Sequence, residues 1–371
     1  MRITIICGNL APGKDGVGDY SRAFANELKV QGHELQLVAL RDSETISQVE
    51  SGISIERFNN GLQSSKLQAV IDSWAPDVVS LQYVGFAYHS KGLIHQLIPP
   101  VEAIRKDRRL HVMVHEPWIR NSPTTTKRQQ FLGQIQRHQL VKAIRRWKPE
   151  HIHTSNLLYQ HVLRKAGIES RLLPLFGNIR YTPLNPETIE RLFETHSNTT
   201  DSPIVLLPFS QSRHWSVDHC MDALKRVATA ADTNLTILQI GQNVNLEQHW
   251  PAIESHAKAN GWQAIRLGSQ PEAIVSQCIQ ASTLGISGEH LQLAGKSGAV
   301  TTMREHGLPV LCSGTNIEDG PAEQTEQAGL YSLDSDFKTI VNCLIEPRPK
   351  QFESGLKKTA KQWIDDINQY A

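Results

Sequence analysis

Arg2-Ile3-Thr4-Ile5-Ile6-Cys7-Gly8-Asn9-Leu10-Ala11-Pro12-Gly13-Lys14-Asp15-Gly16-Val17-Gly18-Asp19-Tyr20 opens the chain. An apolar run passes through a glycine-bearing turn into a segment where Tyr20, Phe24 and Leu28 recur at the spacing of one helix face. A second turn of this kind, Gly295-Lys296-Ser297-Gly298, follows the apolar run Leu284-Gly285-Ile286-Ser287. Where a buried strand turns into a helix start, unpaired backbone N–H groups and the positive helix end face outward, and glycine lets a ligand approach the backbone. Two such turns predict two α/β domains sharing a cleft that holds an anion, with pyrophosphate the leading candidate.

At 371 residues the chain is long for one core and comfortable for two. Its 38 basic and 37 acidic residues leave a net charge of +1, which excludes nucleic acid or an anionic bilayer as a partner for the chain as a whole. The five cysteines, Cys7, Cys220, Cys278, Cys312 and Cys343, show no paired spacing, so neither a disulfide framework nor a zinc site is expected. No apolar stretch approaches the ~20 residues of a membrane span, and the start shows no secretion signal. A cytoplasmic location is expected, with peripheral membrane contact as the variant.

Short apolar runs alternate with helical patterns along the whole chain, the pattern of βαβ units and parallel sheets. Strands are predicted near Ile3–Cys7, Glu34–Leu40, Ile53–Phe58, Val78–Gln82, His111–His115 and His151–Thr154, then again at Ile204–Leu207, Leu235–Ile240, Ala264–Leu267, Leu284–Ser287 and Pro309–Leu311. Helices are predicted over Asp19–Gln31, which Gly32 ends, Ser65–Trp74 and Lys127–Trp147. Pro183, Pro186, Pro203 and a polar run mark a connection. The expected layout is an N-terminal Rossmann-like domain over 1–180, a linker over 181–202, a second Rossmann-like domain over 203–351 and a last helix over 352–371.

The order of several segments resembles retaining, nucleotide-sugar-dependent glycosyltransferases of the GT-B fold, the family 4-like group. The matching pieces are Gly16-Val17-Gly18-Asp19-Tyr20-Ser21-Arg22 with its helix, Pro76-Asp77-Val78-Val79-Ser80-Leu81-Gln82-Tyr83, Val112-Met113-Val114-His115-Glu116, Leu173-Pro174-Leu175-Phe176-Gly177-Asn178-Ile179 and Gly307-Leu308-Pro309-Val310. The resemblance implies two doubly wound domains facing across a cleft, the N-terminal one on the acceptor side and the C-terminal one holding the donor. It also implies a final helix that packs back on the first domain. The implied activity is transfer of a sugar, a hexose by family habit, from a nucleoside diphosphate sugar to an unknown acceptor hydroxyl (glycan, lipid or small molecule), without metal or cofactor and with retention.

Such a transfer builds negative charge on the departing diphosphate, so the site gains most from donors aimed at that charge. The candidates are the segment Gly295, Lys296, Ser297 and Gly298, with Arg213 in the loop after Ile204–Leu207, and Gly16 and Gly18 in the first turn. The resemblance gives His115 a hydrogen bond to the transferred sugar. Family members carry two glutamates eight residues apart near the second turn, and Ala294 and Thr302 stand at those positions here. No ribose-binding carboxylate is therefore assigned.

Competing readings are available for each feature. Gly295-Lys296-Ser297 imitates the end of a phosphate-binding Walker loop, which would need glycine where His290 stands. His115 alone reads as a core histidine, and His151 with His153 as a metal pair or a structural pair on one strand face. Arg137, Lys142, Arg145, Arg146 and Lys148 make either a solvated helix face or a lipid-phosphate contact. The absent glutamates favour a non-catalytic nucleotide or sugar binder of the same fold, and a nucleotide-sugar epimerase is the second enzymatic alternative.

Overall fold

A computed structural model describes residues 1–44, 46–58, 64–106, 108–119, 125–194, 202–208, 215–241, 245–314, 329–332, 336–346 and 351–369. The chain divides into two compact units, Met1–Leu175 with Leu356–Ala371, and Phe176–Gly355.

The first unit runs β1 (Arg2–Cys7), α1 (Gly16–Val30), β2 (Glu34–Ala39), β3 (Gln48–Glu50), β4 (Ile53–Arg57), α2 (Ser64–Trp74), β5 (Val78–Val84), α3 (Gly85–Tyr88), α4 (Ile98–Arg105), β6 (Arg109–Glu116), α5 (Lys127–Trp147), β7 (His151–Thr154), α6 (Leu157–Lys165) and β8 (Arg171–Leu172). The strands form one sheet in the order β3-β4-β2-β1-β5-β6-β7-β8. Among the described residues only the edge pair β3–β4 is antiparallel. The central strands read as continuous apolar runs because both faces of a parallel sheet are covered.

Alternation along β5, β6 and β7 sorts two different faces. Val79, Leu81, Tyr83, Leu110, Val112, Val114 and Ile152 point to one core, which they share with Leu67 and Ile71 of α2, Val101 and Ile104 of α4, and Leu140, Ala143 and Trp147 of α5. The intervening positions, Ser80, Gln82, His111, His115, His151 and His153, are buried and polar. In register Ser80 lies opposite His111, and His111 opposite His151. A helix from the far end of the chain covers part of this polar face: Trp363 and Ile367 are fully buried, and the Trp363 ring packs edge-on against Phe24 of α1 and His111 of β6.

The second unit runs α7 (Pro186–Glu194), β9 (Ile204–Pro208), α8 (Val217–Ala230), β10 (Thr236–Ile240), α9 (Leu246–Ala259), β11 (Gln263–Gly268), α10 (Glu272–Ala281), β12 (Leu284–Ser287), a 3₁₀ helix (Leu291–Lys296), α11 (Gly298–Glu305), β13 (Val310–Cys312), β14 (Leu330–Ser332) and α12 (Phe337–Ile345). Its all-parallel sheet has the order β11-β10-β9-β12-β13-β14. Val205 and Leu207 face one core with Ile237 and Ile286, while Ile204 and Leu206 face the other with Leu238, Val310 and Cys312. The last helix, α13 (Leu356–Asn368), belongs to the first unit.

The linker expected over 181–202 needs correction in its first part. Ile189 and Phe193 of α7 are buried in the second core, and Thr182 and Asn185 donate backbone hydrogen bonds to Ser276 and Gln277 of α10. Pro186 is the first residue of this amphipathic helix, where proline is well suited, and the helix is part of the second unit instead of a spacer. No helix among the described residues is long and apolar enough to cross a membrane. All five cysteines are buried.

Candidate functional site

In the second unit the glycine turn is built differently from the expected strand-to-helix junction. A 3₁₀ helix separates β12 from α11, and it contains Gly295 and Lys296. Only Ser297 and Gly298 stand at the start of α11, with Ser297 as its cap: its hydroxyl accepts from Val300 N–H at 3.3 Å. Ser297 therefore spends its side chain on its own helix, the ordinary role of serine at that place. This arrangement also disposes of a Walker loop. At Gly298 a Cβ atom would meet nothing within 4 Å, so the backbone at the helix start is open. Lys296 Nζ lies 3.4 Å from Glu289 Oε1, both side chains being largely but not fully buried.

The helix ends where the sequence places its stop. Gly307, at φ +73°, follows α11, and Leu308 N–H closes onto the Met303 carbonyl at 2.9 Å. Ala294 and Thr302, at the positions of the family's glutamates, are both buried, and Thr302 Oγ1 donates to Asn178 Oδ1 at 3.3 Å. The nearby Glu305 is occupied with Gly355 N–H at 2.8 Å, and burial raises its pKa above the ordinary carboxylate value. Arg213 lies outside the described residues.

In the first unit Asp15 caps α1, accepting from Val17 N–H at 3.2 Å, while Asp19 Oδ1 accepts from Gly13 N–H at 3.0 Å. Two carboxylates of the chain thus face the positive helix end, so an anion is a poorer fit to this turn than the glycines alone suggested. The two glycines have different duties. Gly16 faces open space, whereas a Cβ on Gly18 would overlap the carbonyl oxygen of Asn9. Gly18 is therefore where α1 presses onto the loop after β1, a loop also tied down by Leu10 N–H to Asp42 and by the buried Asp42–Arg57 ion pair at 2.6 Å. Gly18→Ala is expected to cost about 1–3 kcal/mol through overpacking, read as a lower urea midpoint, while Gly16→Ala leaves that midpoint unchanged or slightly raised.

His115, near the C-terminal end of β6, is buried, with Nε2 2.9 Å from Gln82 Oε1 and its ring edge-on to Tyr20 at 5.0 Å. Burial lowers its pKa to about 3, so the imidazole is neutral at pH 7. No hydrogen bond to Nδ1 is formed among the described residues. With Nε2–H given to Gln82, Nδ1 is the acceptor. Tyr88 is buried, and its hydroxyl donates to the Gln82 carbonyl at 2.6 Å. Phe86 is exposed and Trp118 lies beside the Arg137 guanidinium.

Among the described residues no group of three His, Cys, Asp or Glu, at His151 and His153 or elsewhere, is placed to hold an ion. His153 bonds His111 on one side and Asp366 of α13 on the other, each at 3.0 Å. Sequence spacing could not have shown the Asp366 partner, which is 213 residues away. In the basic cluster Arg146 pairs with Glu102 and Arg137 reaches the Lys165 carbonyl at 3.5 Å.

No protein-family model matches the chain, and no curated protein matches it by sequence. Solved structures do match along its whole length. A sucrose-phosphate synthase from Thermosynechococcus elongatus has TM-score 0.61 at 12% identity, covering 100% of this chain and 99% of the other. HepE from Anabaena, in complex with UDP and glucose, has TM-score 0.60 at 14% identity with both chains fully covered. A UDP-GlcNAc 2-epimerase from Methanocaldococcus jannaschii follows at 0.56 and 10%, again covering both chains fully. The chain has the GT-B fold. Within the GT-B fold two doubly wound units of one chain are the rule, and the strand orders described above supply them. Identities this low carry the fold and no more.

Proposed function

We propose that the protein transfers a sugar from a nucleoside diphosphate sugar to an acceptor hydroxyl. The observation that carries this reading is the start of α11, where open backbone at Gly298, a helix N-terminus and the Lys296 ammonium gather on a GT-B scaffold. Amides held by the fold and a nearby cation stabilise the departing diphosphate without reorganising as its charge grows. Glu289 keeps Lys296 in place until an anion competes for it. In the first unit, neutral His115 offers Nδ1 to a sugar hydroxyl, and its depressed pKa suits a positioning contact better than general-base work at pH 7. The proposed transfer draws on protein groups for charge stabilisation, and retention follows the family resemblance.

The test is calorimetry with UDP, GDP and ADP against the full chain. Binding of at least one is expected, and Lys296→Ala weakens it about tenfold, the worth of one charge-assisted hydrogen bond of ~1.5 kcal/mol. Glu289→Gln, which removes the carboxylate that competes with an anion for the ammonium, strengthens it. Failure of all three nucleotides to bind removes the reading. A second reading, a nucleotide or sugar binder without transfer, draws on Thr302, whose hydroxyl is directed to Asn178 where the family has a carboxylate. An epimerase remains the other enzymatic reading, motivated by the similarity to the archaeal enzyme. Product analysis of a bound sugar nucleotide with and without acceptors separates the three.

A further inference from the structure

The buried polar face of the first unit is a single hydrogen-bonded chain. His115 Nε2 meets Gln82 Oε1 at 2.9 Å, Gln82 Nε2 meets Ser80 Oγ at 2.8 Å, and Ser80 Oγ meets His111 Nδ1 at 2.8 Å. His111 Nε2 then meets His153 Nδ1 at 3.0 Å, and His153 Nε2 meets Asp366 Oδ2 at 3.0 Å, while Arg171 holds the other carboxylate oxygen at 2.7 Å. Trp363 Nε1 joins at His111 Nδ1, 3.1 Å away.

Two members of this chain cannot change role. An indole N–H only donates, and an ionised carboxylate only accepts. Trp363 therefore fixes Nδ1 of His111 as the bare nitrogen, and Asp366 fixes Nε2 of His153 as the protonated one. Each neutral ring has one proton, so His111 donates through Nε2 to Nδ1 of His153, in agreement from both ends. Ser80 must then give its proton to His111, sharing the lone pair with Trp363, and can only accept from Gln82. The Gln82 amide nitrogen is thereby turned to Ser80 and its oxygen to His115, whose Nε2 has to carry the proton. Every proton in the chain points the same way, toward Asp366.

We propose that Trp363 and Asp366 of α13 are positioning residues that hold His115 as its Nε2-protonated neutral tautomer, acting through Gln82, Ser80, His111 and His153. The consequence is that Nδ1 of His115 is presented as a pure acceptor, able to receive a sugar hydroxyl and unable to donate to one. This deepens the proposed role of His115 and rests on it for its purpose, but the tautomer itself is a property of the ligand-free protein. A wrong tautomer at a comparable histidine costs catalysis heavily in enzymes that depend on it.

The experiment is two-bond ¹H–¹⁵N correlation on the full chain labelled at histidine, with the His115 ring assigned by its loss in His115→Asn. His111, His115 and His153 are expected to show one protonated nitrogen each, at Nε2. In Trp363→Phe/Asp366→Asn both anchors go while their volumes stay near native, and the single pattern at His115 is expected to give way to both tautomers. Ser80→Ala severs the chain at its middle and gives the same change at His115 while His111 and His153 keep theirs, which serves if the double variant does not fold. An Nδ1-protonated His115 in the unaltered protein, or a pure Nε2–H pattern persisting in folded Ser80→Ala, overturns the proposal. Failure of nucleotide binding would remove the proposed function and leave this result standing.

Discussion

Trp363→Ala is expected to lower the stability of the first unit by about 3–5 kcal/mol. The side chain is fully buried, packs edge-on against Phe24 at 5.6 Å and His111 at 5.5 Å, and donates its indole N–H into the polar face. Truncation removes apolar contact, leaves a cavity the size of an indole and takes one of the two proton donors from His111. The remaining ties of α13, among them the bonds of Asp366 to His153 and Arg171, are polar and do not fill the cavity. Gln362 to the Leu172 carbonyl at 2.7 Å and Thr359 to the Pro174 carbonyl at 3.2 Å are hydrogen bonds worth ~1 kcal/mol each. The expected result in limited proteolysis is faster cleavage just before Leu356 and release of the helix. Trp363→Phe keeps most of the packing and loses the N–H, so its cost should be closer to that of one hydrogen bond. Equal losses in the two variants would show that packing is not what holds the helix.

The second large effect is acid sensitivity of the same unit. Burial depresses His115 to about 3 and His111 well below the usual 6.5, the latter helped by its neighbours His153, His151 and His115. His153 is also lowered by burial, against the pull of Asp366. The unfolded chain takes up protons near 6.5 that the folded unit refuses, so stability is complete above that value and falls as the pH drops below it. For His115 the loss continues down to about 3. At about pH 4.5 His115 forfeits about 3 kcal/mol, from about two units of pH at 1.36 kcal/mol per unit. His111, held well below the usual value by burial, adds to that loss. Asp15 works the other way: burial raises its pKa, so as the pH falls toward the ordinary carboxylate value the folded unit takes up that proton before the unfolded chain does, and the cost of burying the charge is relieved. Because a chain of two units need not unfold in one step, the fitting measurement is hydrogen exchange of the β6 amides across this range. Protection relative to the intrinsic exchange rate is expected to fall from near pH 6.5 downward, and protection that stays constant down to pH 4.5 would contradict the burial of neutral imidazoles.

Much of the architecture was legible because parallel strands buried on both faces are written as uninterrupted apolar runs. Ile3–Cys7, His151–Thr154 and Leu284–Ser287 were placed within a residue of where they lie, and α5 without displacement. Among the elements not read were short edge strands, β3, β8 and β14, whose two or three residues carry no period, and α4, whose Pro99 and Pro100 look like a turn although they occupy the start of a helix; the helices α8, α9 and α10 between the strands of the second unit were not placed either. At the site, the glycines were visible but their partners were not. Nothing local shows that Gly18 meets the Asn9 carbonyl, that Ser297 is consumed as a cap, or that Lys296 sits in a 3₁₀ turn beside Glu289. The polar face was half visible. His151 and His153 share a strand face by simple alternation, whereas Ser80, Gln82 and Asp366 become their neighbours only through strand order and the return of the last helix.

The first unit is discontinuous in the chain, and this bears on how it is made. A ribosome releases the first 175 residues long before α13 exists, and the whole of Phe176–Gly355 is synthesised in between. Throughout that interval the nascent sheet lacks its last helix, leaving Phe24, His111 and His153 without their cover. The second unit, contiguous in sequence, is free to complete itself first, and the lobe begun before it is closed only after α13 has been made.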